Sequence, residues 1–209
     1  MRRSFLELPV LCRQLIVVRT LESFVYSIFI SKFLIELYKN INASLLAFSD
    51  MFYSVVAIVL SGVVLKRKDT IIRHFKKFVT LDIVTNIALT LLFLHNTDWK
   101  MYWVLNFTVF PCIIQQFIDV AVMRINFNAC PDDRMKEDVQ LYTKFTNGVS
   151  SFLGGVICML LDKSDIYDLT VWTCFILVGM TLSSFFYLVI VKDKDLECIE
   201  NNIDSQKDL

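Results

Sequence analysis

Six long apolar blocks, separated by short polar connections, constrain this chain more than any other feature of its sequence. They run at about residues 11–37, 43–65, 78–95, 101–123, 143–161 and 169–191. A helix rises 1.5 Å per residue, so each block is long enough to cross a hydrocarbon layer of roughly 30 Å. In lipid every backbone N–H and C=O must be satisfied within the segment, which makes helices the natural form for such blocks. Six of them nearly exhaust 209 residues, of which 56% are apolar. The expectation is an all-α polytopic membrane protein: one six-helix transmembrane bundle over residues 1–191 and a polar tail over 192–209. No soluble domain fits between the spans.

The 21 basic residues balance the 21 acidic ones, so net charge argues for neither nucleic acid nor an acidic partner. Their distribution is informative. Sixteen basic residues fall on the side that holds both ends and the two longer connections, Lys66–Lys77 and Arg124–Tyr142. The opposite side has only Lys39, Lys100 and Lys163. The positive-inside rule then places both termini in the cytoplasm. The first connection, with six positive charges around Asp69, fixes topology and suits contact with anionic lipid headgroups. Arg2 and Arg3 serve as the cytoplasmic flank of an uncleaved first helix, and no small-residue cleavage site follows it. The Asn42-Ala43-Ser44 sequon is a chance pattern against the membrane. The six cysteines avoid the outer connections and show no metal or redox spacing, so neither a disulfide framework nor a zinc site is expected.

Ionisable residues at hydrocarbon depth are costly unless they face a partner, the bundle interior or water. Arg19 and Glu22, three residues apart, share a helical face, and Lys32 and Glu36 repeat the pattern nearer the outer surface, where they can snorkel. Asp50, Ser54 and Ser61 form a stripe on the second span, and Asp82, Asn86 and Thr90 one on the third. The fourth is the most polar, with Thr108, Cys112, Gln115, Gln116 and Asp119 on one side and Pro111 beside them. The expected substrate or proton pathway is Arg19, Glu22, Asp50, Gln115, Gln116 and Asp119. Arg19, Asp82 and Asp119 lie at similar depth near the cytoplasmic end and could form either a salt-bridged latch or a proton- or cation-binding site. The deep acids outnumber Arg19, which favours a cationic or proton-coupled solute. Gly148, Ser151, Gly154 and Gly155 on the fifth span, with Gly179 and Ser183 on the sixth, read as seams for close helix packing.

Catalytic chemistry is poorly provided for. His74 and His95 sit at opposite membrane surfaces and cannot share a metal or a triad within one subunit, and there is no Walker A loop or CxxC pair. No enzyme activity, metal or cofactor is expected.

Three stretches resemble the major facilitator superfamily. Ser61-Gly62-Val63-Val64-Leu65-Lys66-Arg67-Lys68-Asp69 with Arg73 is similar to its glycine-then-basic loop between helices two and three, with Lys66 standing where the family has an acid. Cys130-Pro131-Asp132-Asp133-Arg134 resembles the Pro-acid-acid loop between helices four and five, and Asn147 to Gly155 the glycine-rich fifth helix. Order, spacing and sidedness match the amino-terminal six-helix half of that family. The resemblance implies that the first and fourth helices line a solute path near the midplane, enclosed by two such halves. A half-size transporter of this kind, in a bacterial cytoplasmic membrane, would need a homodimer or a second half-protein to move a small solute by alternating access. The alternative is a non-transporting accessory, self-protection or interaction protein of the membrane.

Overall fold

The computed structural model describes residues 4–40, 51, 54–55, 58–59, 62–63, 66, 68–95, 100–162 and 169–197. Among them every regular element is helical. After a short 3-10 helix, Phe5–Glu7, come α1 (Val10–Asn40), α2 (Lys68–Arg73), α3 (Phe75–His95), α4 (Lys100–Asn128), α5 (Asp133–Asp162) and α6 (Leu169–Ile190). Most of the expected second span at 43–65 lies outside the described residues, including Asp50, the sequon at 42–44 and Ser61, as do the side chains of Lys32, Glu36, Thr108, Pro111 and Cys112.

The helices overrun the apolar blocks. Of the expected connection between Arg124 and Tyr142, only Ala129 to Asp132 is non-helical. Proline at 131 lacks an N–H and biases Cys130 away from helical geometry, which stops α4. Asp132 then starts α5 by accepting the Met135 N–H at 2.7 Å. The extra turns persist because they are amphipathic. Met135, Asp138 and Val139 are buried at helical spacing, while Asp133, Arg134, Glu137 and Gln140 are exposed.

The basic connection before α3 behaves likewise. Ile71, Ile72, Phe75 and Val79 are buried, and the His74 N–H is shared between the Thr70 and Ile71 carbonyls, both at 3.2 Å, as α2 gives way to α3. The start of the polar tail packs against the bundle. Val191 and Leu196 join the main core, and Lys76 Nζ bonds Asp193 Oδ1 at 2.6 Å. Residues 198–209 lie outside the described residues.

α1 packs along α5 and α6, α3 packs along α4 and α6, α1 touches α4, and α2 rests on α4. The main core joins Leu15 and Val18 of α1 to Phe75 and Val79 of α3, Ile118 and Ile125 of α4, and Tyr187 of α6. The start of α1, the end of α4, the start of α5 and the end of α6 therefore meet at one end of the bundle.

The expected glycine seam is narrower than its sequence. A Cβ at Gly154 would come within 2.9 Å of the Phe24 carbonyl and closer still to the Ser27 hydroxyl, which itself donates to the Ser151 carbonyl at 2.8 Å. Gly179 is similarly pressed against Val25 of α1. Gly148 and Gly155 have nothing within 4 Å of the corresponding position, so they take no part in this packing. A helix presents each residue at a different azimuth, and only one in the run can face the α1 backbone.

The exterior is apolar over much of α3, α5 and α6. Leu81, Val84, Ile87 and Leu91, then Phe145, Phe152 and Met159, then Leu182, Phe185 and Val189 are all exposed, Phe152 at 70%. Scattered exposed leucines are ordinary, but rows of this length are not. The apolar blocks each predict a membrane crossing, but among the described residues no helix is long and apolar enough to make one. The described side chains of α6 span only Leu177 to Ile190.

Candidate functional site

Inside this apolar exterior sits a polar centre. Arg19 and Glu22 of α1 pair at 2.9 Å, as three-residue helical spacing allows. Arg19 also pairs with Asp119 of α4, joining the two helices. Glu22 is the hub. Its Oε2 accepts from Arg19 and from the Tyr187 hydroxyl of α6 at 2.9 Å, and its Oε1 accepts from Gln115 Nε2 of α4. Three helices thus converge on one carboxylate that is only 5% exposed. Charge-assisted hydrogen bonds of this kind are roughly twice as strong as neutral ones, which is what makes a buried carboxylate tenable.

A second centre lies between α3 and α6. Asp82 Oδ2 accepts from Ser184 Oγ at 2.5 Å and from Asn86 Nδ2 at 3.0 Å. Among the described residues Asp82 forms no ion pair. The expected grouping of Arg19, Asp82 and Asp119 is therefore divided. Arg19 holds Asp119 and Glu22, while Asp82 turns to the hydroxyl of α6, because α3 packs against α6 as well as α4.

Gln116 of the expected pathway is half-buried on α4, and Asp50 lies outside the described residues. Sequence reasoning missed Tyr187 and Ser184. Extending the Gly179 and Ser183 stripe by one helical turn reaches Tyr187, and Ser184 is the immediate neighbour of Ser183, but in the sequence that stripe reads as packing alone.

A cavity of about 330 Å³ opens beside the first centre, lined by Leu15, Ile16 and Arg19 of α1, Asp119 and Asn126 of α4, and Thr143, Lys144 and Asn147 of α5. Its size lies at the lower end for small-ligand pockets. Buried acceptors in and around it are under-used. Among the described residues, Oδ1 of Asn126 and Asn147 on the cavity wall accept no hydrogen bond, nor do Oε1 of Gln115, Oδ1 of Asp82 and Oδ1 of Asn86. Such groups are normally satisfied, and the buried Nε donors of Arg13 and Arg124 are also without a partner among the described residues. Counting ionised forms, Glu22, Asp82 and Asp119 carry three negative charges against the one positive charge of Arg19. Lys144 stands at the cavity wall as an exposed second cation. The arrangement can hold a proton or a small donor-rich cation.

Among the described residues no three His, Cys, Asp or Glu side chains gather as a metal centre. Comparison with known protein families, curated proteins and solved structures finds no match.

Proposed function

We propose that this chain is an integral membrane protein that forms half of a major-facilitator-like transporter. In this reading it lies in a bacterial cytoplasmic membrane with both termini inside, and it moves a small cationic or proton-coupled solute as a homodimer or with a second half-protein. The observation that carries the proposal is the inverted distribution of polarity. Of the groups that would be costly in lipid when ionised, Glu22 and Asp82 are buried and Arg19 and Asp119 line the cavity with side chains 23% and 33% exposed, while rows of Phe, Leu and Val face outward. A scaffold gains nothing from an acidic interior beside a cavity; a cation carrier does.

Asp119 is the residue placed to change partners, because it lines the cavity and holds Arg19 at once. In proteoliposomes with an imposed pH gradient and a trapped pH-sensitive dye, at least one of a panel of small organic ammonium ions is expected to dissipate the gradient. A hydrogen-bonded ionic contact contributes about 1.5–3 kcal/mol, so Asp119→Asn should slow that flux roughly ten- to hundredfold. No response to any ammonium ion by the wild-type protein, or an unchanged rate in the variant, contradicts the assignment.

A second reading has its own support. Gly148 and Gly155 lie open on α5 among the exposed Phe145, Val149 and Phe152, a face of small and large residues suited to another helix. A non-transporting accessory subunit would use it. Crosslinking in detergent distinguishes the two: a monomer that co-purifies with a larger membrane protein and carries no solute favours the accessory role.

A further inference from the structure

Cys12 and Cys130 are separated by 118 positions in sequence, yet their sulfurs lie 3.8 Å apart. They occupy a small apolar cluster distinct from the main core, with Leu8, Ile16, Met135 and Val139. Cys12 sits in the first turns of α1, fully buried, with its thiol directed at the Asn126 carbonyl at 3.5 Å. Cys130 is 6% exposed and lies in the non-helical link before Pro131. One sulfur is thus fixed by a helix and the other is carried by a loop. A disulfide needs about 2.0 Å between sulfurs, so the loop must bring them less than 2 Å closer. The cluster adjoins the cavity, since Ile16, Asn126 and Val139 belong to both surroundings.

We propose that Cys12 and Cys130 are a reversible oxidation site: an intrachain disulfide between them braces the start of α1 to the α4–α5 link at the end of the bundle where the cavity lies. The co-reactant is a peroxide, small enough to reach a nearly buried thiol. Cys130, the more exposed, attacks one peroxide oxygen as its thiolate, giving a sulfenic acid and one water. The Cys12 sulfur then displaces that oxygen as a second water and forms the S–S bond. The two thiols lose two electrons and two hydrogens, and the peroxide O–O bond takes them up. In a reducing compartment the bond is transient and is reopened by thiol exchange. Cys158, also buried, belongs to neither surroundings and has no part in the pair.

The test uses the full chain without substitution. Protein in detergent is treated with hydrogen peroxide, its remaining thiols are alkylated under denaturing conditions, and peptides are mapped by mass. The expected result is a Cys12–Cys130 cross-linked peptide, two hydrogens lighter than the sum of its parts, that disappears on adding dithiothreitol. Oxidation should also raise the unfolding temperature, because the closed loop restrains the unfolded chain. Recovery of Cys12 and Cys130 as alkylated thiols after peroxide, as over-oxidised acids without a cross-link, or bonded to other cysteines overturns the proposal. A Cys12→Ser variant gives a second check: it should lose the reducible temperature shift, and retention of that shift would assign it elsewhere.

Discussion

Arg19→Met is expected to lower stability by about 1.5–3 kcal/mol, because it removes charge-assisted hydrogen bonds to two carboxylates, one buried and one partly exposed. Arg19 is the positive partner of both Glu22 and Asp119. Methionine keeps most of the length and apolar stem of arginine, so the loss reports charge and not volume. The measurement is SDS-induced or thermal unfolding in detergent micelles. Adding Asp119→Leu to Arg19→Met should recover part of the loss, since removing both members of an ion pair costs far less than removing one. If the two losses simply add, the residues do not interact and the geometry assigned to this centre is wrong.

The second large effect belongs to Tyr187. Its ring is fully buried and meets Phe75 edge-on at 6.4 Å between centroids, while its hydroxyl donates to Glu22 at 2.9 Å. Two substitutions separate these roles. Tyr187→Phe keeps the ring and removes a hydrogen bond to a charged acceptor, a loss of about 1.5–3 kcal/mol. Tyr187→Ala also opens a cavity in the main core, bringing the loss to about 3–5 kcal/mol or more. Unfolding measured as for Arg19 should rank wild type above Tyr187→Phe and Tyr187→Phe above Tyr187→Ala. Equal stability of wild type and Tyr187→Phe would mean that the hydroxyl does not support Glu22.

Much of this centre could be read along the chain, because helical spacing is local. Arg19 and Glu22 share a face by arithmetic alone, and the stripe from Gln115 to Asp119 identifies the side of α4 that turns inward. Partner choice was less accessible. Position along the helices allowed Arg19 to meet Asp82 as well as Asp119, and only the packing of α3 against α6 assigns Asp82 to Ser184.

Tyr187 escaped notice since an aromatic residue in an apolar run is ordinary core by default, and its hydroxyl matters only once Glu22 lies opposite. The Cys12 and Cys130 contact has no sequence signature at all, being made by two chain segments 118 positions apart. Helix ends were misjudged for a different reason. Apolar length marks where a helix is greasy, not where its hydrogen bonding stops, so α5 begins at Asp133 while its apolar block begins near Thr143. The glycine run shows the same limit at finer scale, with Gly154 against the α1 backbone and its neighbour Gly155 in the open.

The central claim is that the exposed apolar rows meet lipid while the ionised centre stays inside. Tryptophan introduced at Phe152 or Phe185, in a protein whose own three tryptophans are replaced by phenylalanine, reports this directly through quenching by lipids brominated on their acyl chains. Both reporters should be strongly quenched by brominated lipid and nearly insensitive to acrylamide in the aqueous phase. Weak quenching by the lipid with ready quenching by acrylamide would place these faces in water and contradict the account.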